Sequence, residues 1–294
     1  MKAVRFHEYG EPGVLRYEDA DPPTPGDGQV LVRVAGTAFN PVDAAIRAGF
    51  MRAAIPIALP HILGLDLAGT IEGSGERVIA AVPMLADGAS AEYVAVDRAL
   101  LAPAPATVPL ADAAALPSSA LTAWQALFEY AGLKPGQRVL VNGGGGAVGG
   151  YAIQLAARAG AHVLATASPR SREAVRAHGA AEVFDYTAGP VRLDEPVDVV
   201  IHLARGALNG VVEQVRPGGV LVSPVGPVEA EGIRVVPMVM HDDRDRLAEL
   251  ARQVDAGTLK LDISARYPLR DLPEVHALGE KGAFRGKVVV TVQD

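Results

Sequence analysis

The chain has 294 residues, is 49% hydrophobic and 21% charged, carries a formal net charge of −7 and contains no cysteine. That length suits two domains and that apolar fraction a sizeable core, which excludes a disordered or disulfide-stapled chain. The acidic balance, with no basic stripe, excludes a nucleic-acid partner, and the lack of thiols excludes a thiolate-held metal. No run of about 18 apolar residues is present, so no membrane span is expected. Met1-Lys2-Ala3-Val4 leads straight into a strand-like pattern, so no signal peptide is expected either. A cytoplasmic location fits these features.

The first third of the chain reads as short strands without intervening helices. Lys2 to His7, Val14 to Glu18 and Gln29 to Ala35 alternate, and a turn-rich connector, Asp21 to Gly28, lies between the second and the third. This predicts an antiparallel, barrel-like start. Thr37-Ala38-Phe39-Asn40-Pro41-Val42-Asp43 precedes a short helix over Ala44 to Ala48, which either Asn40 or Asp43 can cap. Strands over Gly69 to Glu72, Glu76 to Ala81 and Ser90 to Val96 continue the barrel. Ser118 to Leu127 is helical, and Lys134-Pro135-Gly136 follows it as a breaker.

The centre of the chain is organised by Val139-Leu140-Val141-Asn142-Gly143-Gly144-Gly145-Gly146-Ala147-Val148-Gly149-Gly150. An apolar run, Arg138 to Val141, predicts a buried parallel strand. Ala147 to Ala159 places Val148, Ala152, Leu155 and Ala156 on one helical face. Strand, glycine turn and helix open a dinucleotide-binding βαβ unit, because a diphosphate needs free backbone N–H groups at a helix N-terminus and a turn without side chains to approach them. His162 to Ala167 reads as the second strand. An NAD-binding chain ends that strand with an acid for the ribose hydroxyl. Here Thr166-Ala167-Ser168-Pro169-Arg170-Ser171-Arg172 supplies hydroxyls and two guanidinium groups, which favours a 2′-phosphate and therefore NADPH.

Beyond it, strand and helix alternate. Glu182 to Phe184, Val197 to Leu203, Val220 to Val222 and Ile233 to Val236 read as strands, and Ala174 to His178, Leu208 to Val215 and Asp242 to Ala256 as helices. This is a doubly wound parallel sheet. Ile263 to Asp294 returns to strand, a short helix (Leu272 to Leu278) and strand, and is expected to rejoin the first domain. The expected division is 1–115 with 263–294, and 116–262.

Taken together, these segments resemble the medium-chain dehydrogenase/reductase superfamily, and within it the zinc-independent branch of quinone oxidoreductases and zeta-crystallin-like proteins. The resemblance is carried by Met1-Lys2-Ala3-Val4, Asn40-Pro41-Val42-Asp43, Gly64-Leu65-Asp66-Leu67-Ala68-Gly69, Leu121-Thr122-Ala123-Trp124, the glycine run, Gly179 to Tyr186, Arg216-Pro217-Gly218-Gly219 and Gly286-Lys287-Val288-Val289. The zinc branch has a cysteine near Asn40 and a Gly-His-Glu near Gly64; here Asn40, Leu65 and Asp66 stand there. The resemblance implies a GroES-like barrel beside a Rossmann sheet, and NADPH-dependent hydride transfer to a quinone or an α,β-unsaturated carbonyl. It implies Asn40 as the amide on the substrate oxygen and Thr122 as a nicotinamide contact. Gly143, Gly146, Ala147, Val148 and Gly149 would hold the diphosphate. Thr166 would lie at the adenosine end, where Tyr186, with Ser168 and Arg170 or Arg172, would hold the 2′-phosphate. His202, Leu203, Val225 and Gly226 would be cofactor neighbours at strand ends. It also implies a homodimer through an edge strand, for which Gly232 to Met240 is the candidate. An enoyl-thioester reductase and an NADPH-binding protein without turnover also fit these residues.

Overall fold

The computed structural model describes residues 1–204, 208 and 210–292. The chain forms two units, Met1–Ser118 with Asp242–Asp294, and Ser119–His241. No helix among the described residues is long and apolar enough to cross a membrane.

The first unit begins with β1 (Lys2–Phe6), β2 (Leu15–Asp19), β3 (Gln29–Ala38) and α1 (Pro41–Arg47), followed by β4 (His61–Ile62), β5 (Asp66–Ile71), β6 (Arg77–Ala81), β7 (Tyr93–Asp97) and β8 (Ala102–Pro103). Alternation puts Val32 and Val34 of β3 inside with Leu67 of β5 and Val94 and Val96 of β7. Strand β3 is the spine. It pairs antiparallel with β5 along one edge, and a register shift between Val34 and Gly36 marks a bend. On its other edge it pairs with β7 from Gln29 to Arg33. Gly36 lies at that bend, where a Cβ would come within 2.8 Å of the Ala111 carbonyl oxygen. Helix α1 begins at Pro41 rather than Ala44, since proline suits the first helical position. Asn40 is its N-cap, and the Asn40 N–H donates to Asp43 Oδ2 at 3.2 Å. His61 is an interior strand residue, set edge-on to Phe6 and 3.3 Å from Asp87.

The second unit is introduced by α2 (Pro117–Trp124), which continues as a π-helical turn over Gln125–Tyr130. Then come β9 (Arg138–Asn142), α3 (Ala147–Arg158), β10 (His162–Ala167), α4 (Arg172–Ala177), β11 (Glu182–Asp185), β12 (Val197–His202), β13 (Val215–Ser223) and β14 (Arg234–Pro237). They form one six-stranded parallel sheet in the order β11-β10-β9-β12-β13-β14. Numbered from its own first strand this is 3-2-1-4-5-6, the dinucleotide-binding order, and the direction of winding reverses between β9 and β12.

The helix expected over Leu208 to Val215 is absent from the described residues of that span; Asn209 lies outside them, and a 3-10 turn occupies Val212–Gln214. Gly210 at φ 78° sits in the left-handed region and breaks the helical path. The apolar positions are still buried: Val211 and Val215 pack with Val191, Leu140, Leu164, Val200 and Leu221.

The chain then returns to the first unit with α5 (Arg244–Asp255), β15 (Ile263–Pro268), α6 (Leu272–Glu280) and β16 (Lys287–Thr291). Helix α5 was expected in the nucleotide unit, but it lies in the first. Its buried face is Leu247, Leu250, Ala251 and Val254. Arg244 Nε donates to the Leu101 carbonyl at 2.8 Å, and Asp255 Oδ1 accepts the Ala106 and Thr107 N–H groups at 2.8 Å. Strand β16 pairs antiparallel with β3 from Gly36 to Ala38, beyond the stretch that β7 covers, so the last strand extends the barrel wall the first third begins.

Candidate functional site

Two groups of residues are candidates for the site, one in each unit. In the second unit β9 ends at Asn142 and four glycines lead into α3. Each glycine has a different reason to be there. Gly143 is at φ 100°, open to glycine and strained for other residues. A Cβ on Gly144 would press on Ala165 and Ile153 at 3.0–3.1 Å, and one on Gly145 would run into Ser171. A Cβ on Gly149 would run into the Gly143 carbonyl, so that residue lets the helix sit directly on the turn. Gly146 is the exception. Its φ is −88°, and a Cβ there would meet nothing nearer than the Gly143 oxygen at 3.6 Å. No contact among the described residues requires a glycine at 146, whereas a phosphate approaching the first turn of α3 would. The N–H groups of Ala147, Val148 and Gly149 are the first of that helix and have no acceptor within it. A dinucleotide diphosphate fits this cradle.

The carboxyl ends of three adjacent strands are tied together behind the turn. Gly143 N–H donates to Thr166 Oγ1 at 2.8 Å, Thr166 Oγ1 donates to Asn142 Oδ1 at 2.7 Å, and Asn142 Nδ2 lies 2.8 Å from His202 Nδ1. Because the amide nitrogen can only donate, His202 Nδ1 accepts, which places the ring proton on Nε2. Burial holds the His202 pKa below its usual value, so the ring is neutral. Leu203 follows directly; its N–H donates to the Asn142 carbonyl at 2.8 Å and its Cβ lies over Gly143. Val225 and Gly226 follow β13, and Ser223 Oγ donates to the Gly226 carbonyl at 2.7 Å. Asn142, absent from the sequence-derived site residues, is the hub of this relay; a polar residue ending an apolar strand was its only signal.

Strands β10 and β11 end level, with Ala167 opposite Asp185, so Ser168 and Tyr186 emerge from neighbouring strand ends. Tyr186 is 43% exposed and Arg170 is exposed. Arg172 is half-buried, with Nη2 3.5 Å from Asp185 Oδ2. Asp185 accepts both the N–H and the hydroxyl of Thr187, which hold its carboxyl below the usual range. Arg172 is thus anchored by an acid. Thr122 lies on α2 and is half-buried.

Asn40 belongs to the first unit, and what surrounds it was not visible as a local motif. Lys287, the first residue of β16, and Asp66, the first of β5, are 1% and 0% exposed. Lys287 Nζ lies 2.7 Å from Asp66 Oδ2 and 2.5 Å from Asn40 Oδ1. Asp66 also accepts the Ser118 N–H on Oδ1 at 2.7 Å and the Ser118 hydroxyl on Oδ2 at 2.9 Å. Asn40 Nδ2 donates to Asp66 Oδ2 at 2.9 Å and to the Ala38 carbonyl at 3.2 Å. The expected open amide is thus, in the protein alone, engaged on both hydrogens. Its longest donor bond is the one to Ala38. Asp43 completes the cluster: burial, with the Asp66 charge, raises its pKa to about 6 against the pull of Lys287. A charged residue opening the apolar run Lys287-Val288-Val289-Val290 was the signal that could have found Lys287. A separate cleft of about 260 Å³ in the first unit, edged by Arg77, Arg98 and Arg244, shares no residue with this cluster.

Comparison with known proteins agrees with this layout. Residues 26–106 match the family described as "Alcohol dehydrogenase GroES-like domain", and residues 178–290 the one described as "Zinc-binding dehydrogenase". The chain is 33% identical to a chloroplast envelope quinone oxidoreductase homolog of Arabidopsis thaliana, over 99% of this chain and 98% of that protein. It is 34% identical to an NADPH-dependent alkenal/one oxidoreductase of the same plant, over 99% of this chain and 79% of that protein. The structure of the quinone oxidoreductase from Coxiella burnetii superposes with a TM-score of 0.89 at 28% identity, covering 100% of this chain and 99% of that one. The word zinc in one description does not suit the residues present. Asn40 and Asp66 are held by an ammonium group, a divalent ion would have to displace that cation, and no thiol is available. The chain is an oxidoreductase that works with a nicotinamide cofactor, and it belongs to the zinc-independent quinone oxidoreductase family of the medium-chain dehydrogenase/reductase superfamily.

Proposed function

We propose that this chain is an NADPH-dependent reductase of quinones or α,β-unsaturated carbonyls, taking a free small molecule as acceptor. The observation that carries the reading is Gly146, a glycine that no contact among the described residues requires, at the N-terminus of α3. Bound NADPH supplies the hydride. Gly143, Gly146, Ala147, Val148 and Gly149 clasp its diphosphate. Leu203, Val225 and Gly226 flank it at the strand ends, and neutral His202, locked by Asn142, offers Nε2–H as a donor. Thr122 contacts the nicotinamide. Ser168, Tyr186 and Arg170 or Arg172 hold the 2′-phosphate beside Thr166. Asn40 exchanges its long bond to the Ala38 carbonyl for the acceptor oxygen and stabilises the negative charge that develops there. The polarising group at hand is a neutral carboxamide, so the acceptor must itself be electron-poor. A homodimer pairing the outer edges of β14 completes the reading, since β14 ends the sheet.

The test is NADPH oxidation against a panel of quinones and enones, with binding of both nicotinamide cofactors measured alongside. Turnover with at least one acceptor is expected, with NADPH bound at least about tenfold more tightly than NADH, or about 1.4 kcal/mol. Tight binding without oxidation by any acceptor points to a nucleotide-binding protein instead. A preference for NADH overturns the role given to the arginines.

A further inference from the structure

A lysine ammonium as deeply buried as that of Lys287 is costly unless it is paired and hydrogen-bonded. Asp66 supplies the counter-charge at 2.7 Å, which explains why the cation is tolerated. It does not explain why the cation also lies 2.5 Å from the carboxamide oxygen of Asn40. That contact has two consequences. Lysine can only donate, so the Asn40 atom facing it must be Oδ1, and the amide cannot flip. Asp66 Oδ2, accepting from Nδ2 at 2.9 Å, fixes the same orientation from the other end. An ammonium on the carbonyl oxygen also withdraws electron density through the amide, so its N–H groups become stronger donors. Only one of the two N–H bonds, the 3.2 Å bond to Ala38, is long enough to be given up readily.

We propose that Lys287, paired with Asp66, is the positioning residue for Asn40: it locks the carboxamide with one N–H directed for exchange onto the acceptor oxygen and polarises that N–H. The proposal rests on the role given to Asn40 above. Lys287 comes from the last strand and Asp66 from β5, so the amide is gripped by two walls of the barrel rather than by its own helix.

The experiment uses the full chain. Asp66→Asn combined with Lys287→Met removes both charges together and avoids stranding one of them. This pair variant is compared with wild type, Asn40→Ala and the triple variant for kcat with NADPH and 1,4-benzoquinone, for the NADPH dissociation constant and for Tm. The pair variant is expected to keep its Tm within a few degrees and its NADPH affinity within about twofold, and to lose about tenfold in kcat, less than the roughly 100- to 1000-fold for a donor removed outright because Asn40 itself remains. In the Asn40→Ala background the same replacement is expected to change kcat less than about twofold, because the residues act as one unit. A merely structural role predicts effects that multiply. Unchanged kcat in the pair variant, or multiplying effects, overturns the proposal. Unchanged turnover in Asn40→Ala alone overturns the role of Asn40 and this proposal with it. An independent readout needs no variant: the Asn40 side-chain NH₂ protons of the wild-type protein should exchange with solvent at least about tenfold more slowly than those of an exposed carboxamide. Fast exchange overturns the locked geometry even if every variant fails to fold.

Discussion

The two functional regions solve their problems in opposite ways. In the proposed site the working groups at the turn after β9 are backbone N–H donors, exposed by deleting side chains over one short stretch. Around Asn40 the working groups are side chains drawn from positions 40, 66, 118 and 287, each held by the others inside a barrel. The first arrangement is local and tolerant of what lies far away. The second is non-local and dense in charge. A turn can be found by reading along the chain, whereas a cluster exists only once the chain has folded.

The contrast is broken most severely by removing one charge of the cluster. Lys287→Met alone leaves Asp66 buried without its counter-charge, and about 3–5 kcal/mol of stability should be lost in urea unfolding. The pair variant should lose far less, and equal losses would show that packing, not charge, governs the site. Next come the glycines. Gly149→Ala pushes against the Gly143 carbonyl and should lower Tm by several degrees as well as NADPH affinity. Gly146→Ala meets only open space and should leave Tm within about 2 °C while weakening NADPH about tenfold, or roughly 1.4 kcal/mol, by isothermal titration. Equal Tm changes in both variants would mean that the cradle is shaped by folding alone.

A pH series sharpens the comparison within the first unit. His276 is 1% exposed and set edge-on to Phe39; burial first, then the nearby Arg47, lowers its pKa to about 3. Between about pH 6.5 and 3 the unfolded chain binds a proton there that the folded chain refuses, so this residue costs stability as pH falls, about 1.4 kcal/mol per unit. Asp43 acts in reverse. With its folded pKa raised to about 6, it contributes stability below the unfolded value near 3.8 and loses it as pH rises through 6. His276→Phe should therefore gain on wild type as pH falls from 7 to 4. Asp43→Asn should gain on wild type as pH rises over the same range. Parallel curves for either variant would remove that residue from the account. The smallest effect concerns the adenosine end: replacing Arg170 and Arg172 together by Ala should erode the preference for NADPH over NADH in titrations with both cofactors.

Much of this was legible in the sequence. The strand, glycine turn and helix from Arg138 to Arg158 were legible because their signals are periodic and local. The extended start of the chain was legible for the same reason, and so was its return through Lys287 to Thr291. The helix expected over Leu208 to Val215 was misread because its apolar spacing serves burial without a helix, and Gly210 was not weighed as a breaker. Helix α5 was assigned to the nucleotide unit by following the strand–helix alternation, yet its apolar stripe packs beside β8. Asn40 was found, but its partners were not. An aspartate 26 residues on and a lysine 247 residues on are joined to it only by pairing of β3 with β5 and β16.

That last separation bears on how the chain is made. As a ribosome extrudes it, Asn40 and Asp66 emerge early, and the cation they need arrives only with the final strand, 247 residues after Asn40. Until then the Asp66 carboxylate must stay hydrated, so the interior around it cannot dry, while the glycine-turn unit already has every one of its strands. A chain clipped before Lys287 should therefore still capture nucleotide while failing to reduce an acceptor.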